Sequence, residues 1–420
     1  MMLVRIGVVF VLTAGLAAAA DTPASNDNKS AEPSHKMAGD VTVKSTDGKY
    51  TLQTLCLDTN GRVLALVAPS KPFGAPVKGA TGEVRVFDPV GKPVLDIKVP
   101  FHAQSLNCAP DGTILVAGDG KIARFDKDGK MKGEPADLPH IGALLADKAE
   151  LRKQAEAQLK REQQQFTEAI ANAKKQFEEQ VKQLEKKKAE DRTKTEQRQL
   201  EQYKSLIQNY DQMAKEQKTR TVEQVLADMT GRVRVISAVA ASEQDLFVVC
   251  GDIGYGYAVW RMTHDLKDPK RVLGEIRGCC GQMDVQLHGK NLLVAENCNH
   301  QFALYDRDGK KLGGYGTRQD DNLSRPAPDG KPAEKAEEKG CFGGCCNPMN
   351  VRALGTGDIF TAESEGIVKR FTADGKFVGT AAQVKLTGGC KNVAIAVSAD
   401  GNKLYFCDQP GSKFHIFEKK

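Results

Sequence analysis

Residues 106–129 read LNCAPDGTILVAGDGKIARFDKDG, and the same design returns twice. At 285–309 it is VQLHGKNLLVAENCNHQFALYDRDG, and at 351–375 it is VRALGTGDIFTAESEGIVKRFTADG. Each copy has a short apolar strand, a Gly turn and a second apolar strand. A few polar residues follow, then an alternating strand that ends in an aromatic and an Asp-x-Asp-Gly-like turn. Short runs punctuated by Asp-Gly turns are hairpin signals. Weaker copies run through 55–91, 239–265 and 395–417, so the unit is present six times. In the third, Ser242-Glu243-Gln244-Asp245 replaces the Asp-Gly turn. The spacing fits roughly 44 residues per copy, the size of a four-stranded repeat unit.

The pattern GxIxVAExxNxxVxxFDxDGK resembles the NHL repeat, a four-stranded blade of β-propellers. The resemblance covers roughly residues 41–420 less two insertions, and the copies at 285 and 351 carry it most clearly. It implies a fold and leaves activity open, because such propellers host binding modules and several unrelated enzymes. The chain ends bear on closure independently. The sixth copy stops at Phe414-His415-Ile416-Phe417, its third strand, while Val41-Thr42-Val43 precedes the first copy and has no blade of its own. Placing that stretch as the missing fourth strand closes the ring and removes exposed edges.

Between Gly142 and Gly231 lie 88 residues with no Gly, Pro or Cys. Ala, Glu, Lys, Gln and Arg dominate, all strong helix formers. Phe166, Ile170, Ala173, Phe177 and Leu184 form one apolar seam, and Leu200, Tyr203, Ile207, Tyr210 and Ala214 form another. Alternating steps of three and four are the signature of coiled-coil packing. Lys186–Gln199 is almost free of apolar residues and predicts a chain reversal, giving an antiparallel hairpin; the rival is one continuous helix pairing between molecules. The expected fold class is therefore all-β, a six-bladed NHL-like β-propeller with an α-helical coiled-coil hairpin inserted between blades two and three.

The whole chain has 420 residues, 60 Lys+Arg against 54 Asp+Glu, a formal charge of +6, and 40% hydrophobic residues. That charge is mild, and the insert carries 18 basic and 16 acidic residues, so neither provides the concentrated basic face of a nucleic-acid binder. Arg5, the apolar run 6–16 and Ala18-Ala19-Ala20 form a signal-peptide pattern with cleavage expected after Ala20. No window reaches the ~20 apolar residues of a membrane span. A secreted or periplasmic location follows as an expectation, in a compartment that permits disulfides. The expected organisation is signal peptide 1–20, flexible leader 21–40, closing strand with blades one and two 41–135, and helical insert 136–228. Blades three and four then occupy 229–318, a disordered loop 319–340, and blades five and six 341–420.

In a four-stranded blade the first-to-second and third-to-fourth turns lie on one side, and the second-to-third turns and inter-blade connections lie on the other. Both insertions and most cysteines map to that second side. Cys279-Cys280-Gly-Gln-Met-Asp-Val and Cys345-Cys346-Asn-Pro-Met-Asn-Val are near-duplicates at the start of blades four and five, and Cys390 falls at the same position in blade six. Cys341 and Cys298 belong to the same face, and Cys250 and Cys407 end second strands and are expected to point towards it. Cys56 and Cys108, inside first strands, read as core cysteines. Eleven cysteines is an odd number, so at least one is not in an internal disulfide. Three readings compete: structural disulfides, a thiolate site for a divalent metal such as zinc, and a redox thiol site. Cys279, Cys280, Cys345, Cys346, Cys390 and Cys341, with His102, are the candidate metal ligands. Glu296, Glu363 and Asp408 follow second strands directly, and Asp252 and Asp119 lie one residue further on. They are candidates for a channel-face ligand or hard cation, or simply cap turns through their side chains.

There is no Cys-x-x-Cys-His, GxxxxGK[ST], HExxH or GxSxG motif, and no dinucleotide fingerprint between a strand and a helix. The leading expectation is a binding or assembly scaffold with a protein partner on the propeller face and coiled coil, without nucleic acid. The alternative is a metal- or thiol-dependent enzyme at the cysteine-rich face.

Overall fold

The computed structural model describes residues 32–69, 77–218, 220–254, 256–278, 282–318, 340–344, 346–386 and 392–420. The described chain divides into two units, residues 32–148 with 227–420, and residues 149–226.

The first unit contains six four-stranded antiparallel sheets. The chain opens with β1 (His35–Thr42) and then builds blade one from β2 (Thr51–Leu57), β3 (Val63–Ala68), β4 (Gly82–Phe87) and β5 (Pro93–Val99). Blade two is β6 (Ser105–Cys108), β7 (Ile114–Gly118), β8 (Lys121–Phe125) and β9 (Ala136–Asp137). Four helices follow: α1 (Pro139–Leu144), α2 (Lys148–Glu185), α3 (Lys194–Lys218) and α4 (Val222–Val233). Blade three is β10 (Ile236–Ala241), β11 (Asp245–Gly251), β12 (Tyr257–Thr263) and β13 (Lys270–Ile276). Blade four is β14 (Val285–His288), β15 (Asn291–Glu296), β16 (Gln301–Tyr305) and β17 (Lys311–Tyr315). Blade five is β18 (Asn350–Ala353), β19 (Ile359–Ala362), β20 (Ile367–Phe371) and β21 (Phe377–Gln383). Blade six has only β22 (Val393–Val397), β23 (Lys403–Asp408) and β24 (Lys413–Lys419) from its own stretch of chain, and takes β1 as its fourth strand.

That last pairing closes a ring. β1 runs antiparallel to β24 from His35 opposite Lys419 to Thr42 opposite Lys413. Each blade's first strand contacts the first strand of the next, and β22 contacts β2. The molecule is thus a six-bladed β-propeller with a helical hairpin in the chain between blades two and three. β1 starts at His35, earlier than the expected boundary at 41, across a bulge between Met37 and Gly39. The bulge breaks the alternation that sequence patterning relies on. The buried His35 ring fastens this extension through Nε2 to the Gly401 carbonyl at 3.0 Å.

Second strands are covered on both faces by neighbouring blades. Every residue of β3 and β7 is buried, which is why these strands read as unbroken apolar runs. Outer strands such as β5 have mostly exposed or half-buried residues.

The repeat's turn motif has a direct physical cause. In Asp126-Lys-Asp-Gly129-Lys130, the Asp126 carboxylate accepts the N–H groups of Asp128 (3.0 Å) and Lys130 (2.8 Å). Asp306 does the same for Asp308 and Lys310. The glycine takes a left-handed conformation, φ 89° at Gly309, where a Cβ would stand 1.9 Å from the Val272 carbonyl oxygen. In blade three, Ser242 replaces the aspartate and its hydroxyl accepts the N–H groups of Gln244 and Asp245.

The second unit is an antiparallel pair of helices. Phe177 of α2 meets Tyr203 and Tyr210 of α3 at ring-centroid distances of 5.4 and 6.1 Å. Ile170, Ala173 and Leu200 are buried. Ion pairs Lys174–Asp211 (2.7 Å) and Lys204–Glu185 (2.6 Å) cross the seam. α3 starts with a reciprocal cap: the Glu196 N–H donates to the Thr193 hydroxyl, and the Thr193 N–H donates to the Glu196 carboxylate. The chain therefore folds back inside the polar stretch, as a hairpin and not as one continuous helix.

Deleting residues 35–42 removes the fourth strand of blade six and reopens the ring. Thermal melting followed by circular dichroism should show a loss of roughly 10 °C or more; an unchanged melt would mean that closure contributes little.

Candidate functional site

The face formed by second-to-third turns and inter-blade connections holds the predicted acids, and each is engaged by neighbouring groups. Burial pushes the Glu296 carboxyl up, but hydrogen bonds from Tyr305, Asn299 and Gln301 and the nearby Lys311 ammonium outweigh it and hold the group below its usual range. The Tyr305 phenol is raised in turn by burial and by that carboxylate. Asp252 accepts the Ile253 N–H at 2.9 Å and pairs with Arg271. Asp408 accepts the Gly411 N–H at 3.1 Å and lies 3.9 Å from the buried His415 ring. Asp119, with φ 49°, pairs with Arg234 at 2.9 Å. For Glu296, Asp252 and Asp408 the geometry is that of turn organisation, whereas Asp119 ties its turn to Arg234 across the helical insert.

Glu363 is different. It is 2% exposed and forms an ion pair at 2.6 Å with Lys369, itself 6% exposed. Burial pushes the Glu363 carboxyl up against the opposing pull of that ammonium. Lys369 also donates to the Cys341 carbonyl and lies 5.2 Å from the Phe342 ring centroid. The Gly343 N–H donates to the other Glu363 oxygen at 3.3 Å. This pair therefore fastens the segment 341–343, which carries a predicted cysteine, to the β19–β20 turn. Asn347 reinforces it: its amide donates to the Gly343 carbonyl at 2.7 Å, and its oxygen accepts the Ser364 N–H at 2.8 Å.

The cysteines separate. Cys341 is a buried free thiol, 3.2 Å from the Thr317 hydroxyl. Cys346 packs in the core between blades five and six, and Cys298 lies in the short turn after β15. Cys279, Cys280, Cys345 and Cys390 lie outside the described residues. Cys250 and Cys407 do not point to the loop face as expected: both are buried between blades. Alternation at the strand's end places them inward, among apolar neighbours. Burial raises both thiols, Cys250 up to about 12. Cys56 is buried and raised likewise, and Cys108 is pushed up to about 11. His102 is buried with both ring nitrogens engaged by backbone: Nδ1 accepts the Val77 N–H at 2.8 Å and Nε2 meets the Pro69 carbonyl at 3.0 Å. Among the described residues, no three His, Cys, Asp or Glu side chains are grouped to hold a metal.

Sequence reasoning missed the residues that line the axial channel. First strands have one edge without a strand partner, and polar side chains from other blades bond to it. Asp284 accepts the Val351 N–H at 2.9 Å and the Arg352 guanidinium at 2.7 Å. Asn350 accepts the Ile395 N–H at 2.9 Å, and Gln104 accepts the Ile236 N–H at 3.1 Å. Gln282 bridges from blade four to Val393 of blade six with both ends of its amide. A cavity of ≈ 20 Å³ remains, lined by Thr54, Ser105, Ser237, Asp284, Gln286 and Arg352 among others, room for about one water. The signal was present in the near-duplicate motifs: Asp284 and Asn350 are the residues before valine in Met-Asp-Val and Met-Asn-Val.

No family model matches the chain, and no curated protein matches its sequence. Among solved structures it is similar to a structural genomics protein of unknown function from Bacteroides thetaiotaomicron VPI-5482, at 10% identity, covering 90% of this chain and 75% of that one, with a TM-score of 0.48. It is also similar to the Cps50 (Swd1) β-propeller domain of Myceliophteria thermophila, at 8% identity, covering 92% of this chain and 100% of that one, with a TM-score of 0.39.

Replacing Lys369 by Met strands a buried carboxylate, and urea denaturation should show a loss of about 3–5 kcal/mol. Combining Lys369→Met with Glu363→Leu should recover most of that loss. Thiol counting with an aromatic disulfide reagent should find Cys56, Cys250 and Cys407 silent in the native protein and reactive in denaturant; rapid native reaction at any of them would contradict its burial.

Proposed function

We propose that this chain is an exported NHL-type propeller that works as a binding and assembly scaffold, with its helical hairpin as a docking element. The observation that carries the reading is the hairpin itself: a 38-residue helix and a 25-residue helix closed on each other in a single inter-blade connection. Its narrow apolar seam is consumed internally, and its outer surface is exposed mixed charge. Such a surface suits a protein partner of complementary charge pattern, and its balance of signs argues against nucleic acid. The signal-peptide pattern supports export, and the Asp-x-Asp-Gly turns support the NHL resemblance.

A second reading places metal or thiol chemistry at the cysteine-rich starts of blades four to six, with Cys279, Cys280, Cys345, Cys346, Cys390 and Cys341 as the sulfur donors. Burial of Cys341 beside the Glu363–Lys369 pair favours it, because such a fixed charge cluster holds a loop rigidly. Replacing residues 147–220 with a short Gly-Ser linker in the full chain tests the scaffold. The propeller should melt as before while partners captured by cross-linking are lost; retained partners would move the binding site to the propeller face. Elemental analysis and free-thiol counting on protein purified without chelator test the second reading. A stoichiometric metal that disappears in Cys346→Ser would support it, and disulfide pairing of the candidate donor cysteines without metal would remove the metal form.

A further inference from the structure

His140 lies in α1, the short segment that hands the chain from blade two towards the helical hairpin. Its side chain is completely buried, and neither ring nitrogen has a hydrogen-bond partner. The ring lies flat on Trp260 of blade three, with centroids 4.8 Å apart and 19° between planes. Around it, Leu138 and Ile141 enter a core with Ile236, Val248, Cys250 and Met262. α1 contributes no charged residue.

The ionisable groups on the surrounding elements are engaged elsewhere. Asp119 pairs with Arg234, Lys121 of β8 with Asp137, Asp245 of β11 with Arg307, and Arg261 of β12 with Asp308. Arg124 of β8 donates to the His264 carbonyl, Arg232 of α4 to the Gly256 carbonyl, and Asp252 holds Arg271. The His264 ring meets the Ser242 carbonyl. Cys250 stays a neutral thiol. Among the described residues, therefore, no counter-charge or acceptor awaits a proton on His140. A neutral imidazole stacks on the indole at modest cost, whereas an imidazolium there is a full charge in an apolar core.

We propose that His140 is an acid-operated latch: protonation of its ring releases α1 from the Trp260 surface of blade three while the blades remain folded. Burial lowers the ring to about 4 from its ordinary 6.5. The released form thus takes up a proton more readily than the docked form. Docking starts to weaken as pH falls through 6.5, and the loss is complete near 4, amounting to about 300-fold in the docking equilibrium.

Trp260 is the only tryptophan in the chain, so all tryptophan emission comes from the indole on which His140 lies. Between pH 7.5 and 4.5 the full-length protein should show a reversible change in tryptophan emission while its far-ultraviolet circular dichroism holds. His140→Phe keeps a stacked ring of similar volume but takes no proton, and its emission should stay flat. A flat wild-type titration, or the same transition in His140→Phe, would overturn the proposal. If the variant's emission already differs at pH 7.5, hydrogen exchange on the wild type decides. A peptide spanning residues 138–146 should lose protection at pH 5, after correction for intrinsic rates, relative to one spanning 245–251; equal protection at both pH values overturns it.

Discussion

The last blade of this ring is completed by a strand from the other end of the chain. Everything else in the propeller rests on the β1–β24 pairing. It joins residues 35–42 to residues 413–419, a contact between segments about 370 positions apart. Neighbouring contacts tighten the seam: the Ser412 hydroxyl accepts the Leu52 N–H at 3.0 Å, and the Val43 N–H donates to the Ser412 carbonyl at 2.8 Å. The non-local contact is entropically demanding to form, yet once formed it covers two strand edges that would otherwise invite intermolecular pairing.

Closure creates a second constraint at the centre. The first strands turn one edge towards a channel too narrow for further strands, so their N–H groups need partners from side chains. Asp284, Asn350, Gln104 and Gln282 supply them, each reaching to a blade other than its own. The Arg352 guanidinium balances the charge of Asp284 where water is scarce. These residues act as cross-ties, and the polar character of the channel follows from backbone geometry before any ligand is considered.

On the loop face, the same logic uses up most of the acids. Position after the second strand made Glu296, Glu363, Asp408, Asp252 and Asp119 visible in the sequence, because they recur at one register of the repeat. Their partners were not visible. Tyr305 and Lys311 come from the next two strands of the same blade, and Arg234 comes from a segment more than a hundred positions away, beyond the helical insert. The Glu363–Lys369 pair was hidden for another reason: an exposed and a buried lysine look alike in sequence, and only the packing of segment 341–343 over the pair buries it. Cys250 and Cys407 show the opposite error, since a one-residue difference in strand register turns a side chain from the loops into the core.

The sequence alone determined the repeat count, the turn chemistry, the closing strand and the helical insert, while the choice between hairpin and continuous helix fell to the contacts of Phe177 with Tyr203 and Tyr210. The features read from sequence are written in local patterns: alternation, Asp-x-Asp-Gly spacing, and an apolar seam broken by a polar stretch. Local patterns suffice because each blade is a short antiparallel meander whose hydrogen bonds link residues near one another. Tertiary structure alone decided which side chains tie blade to blade, which charges are buried, and that His140 lies against the single tryptophan with no polar partner. Those outcomes depend on pairs of residues far apart in the chain, and burial there is a property of the assembled neighbours, not of the residue.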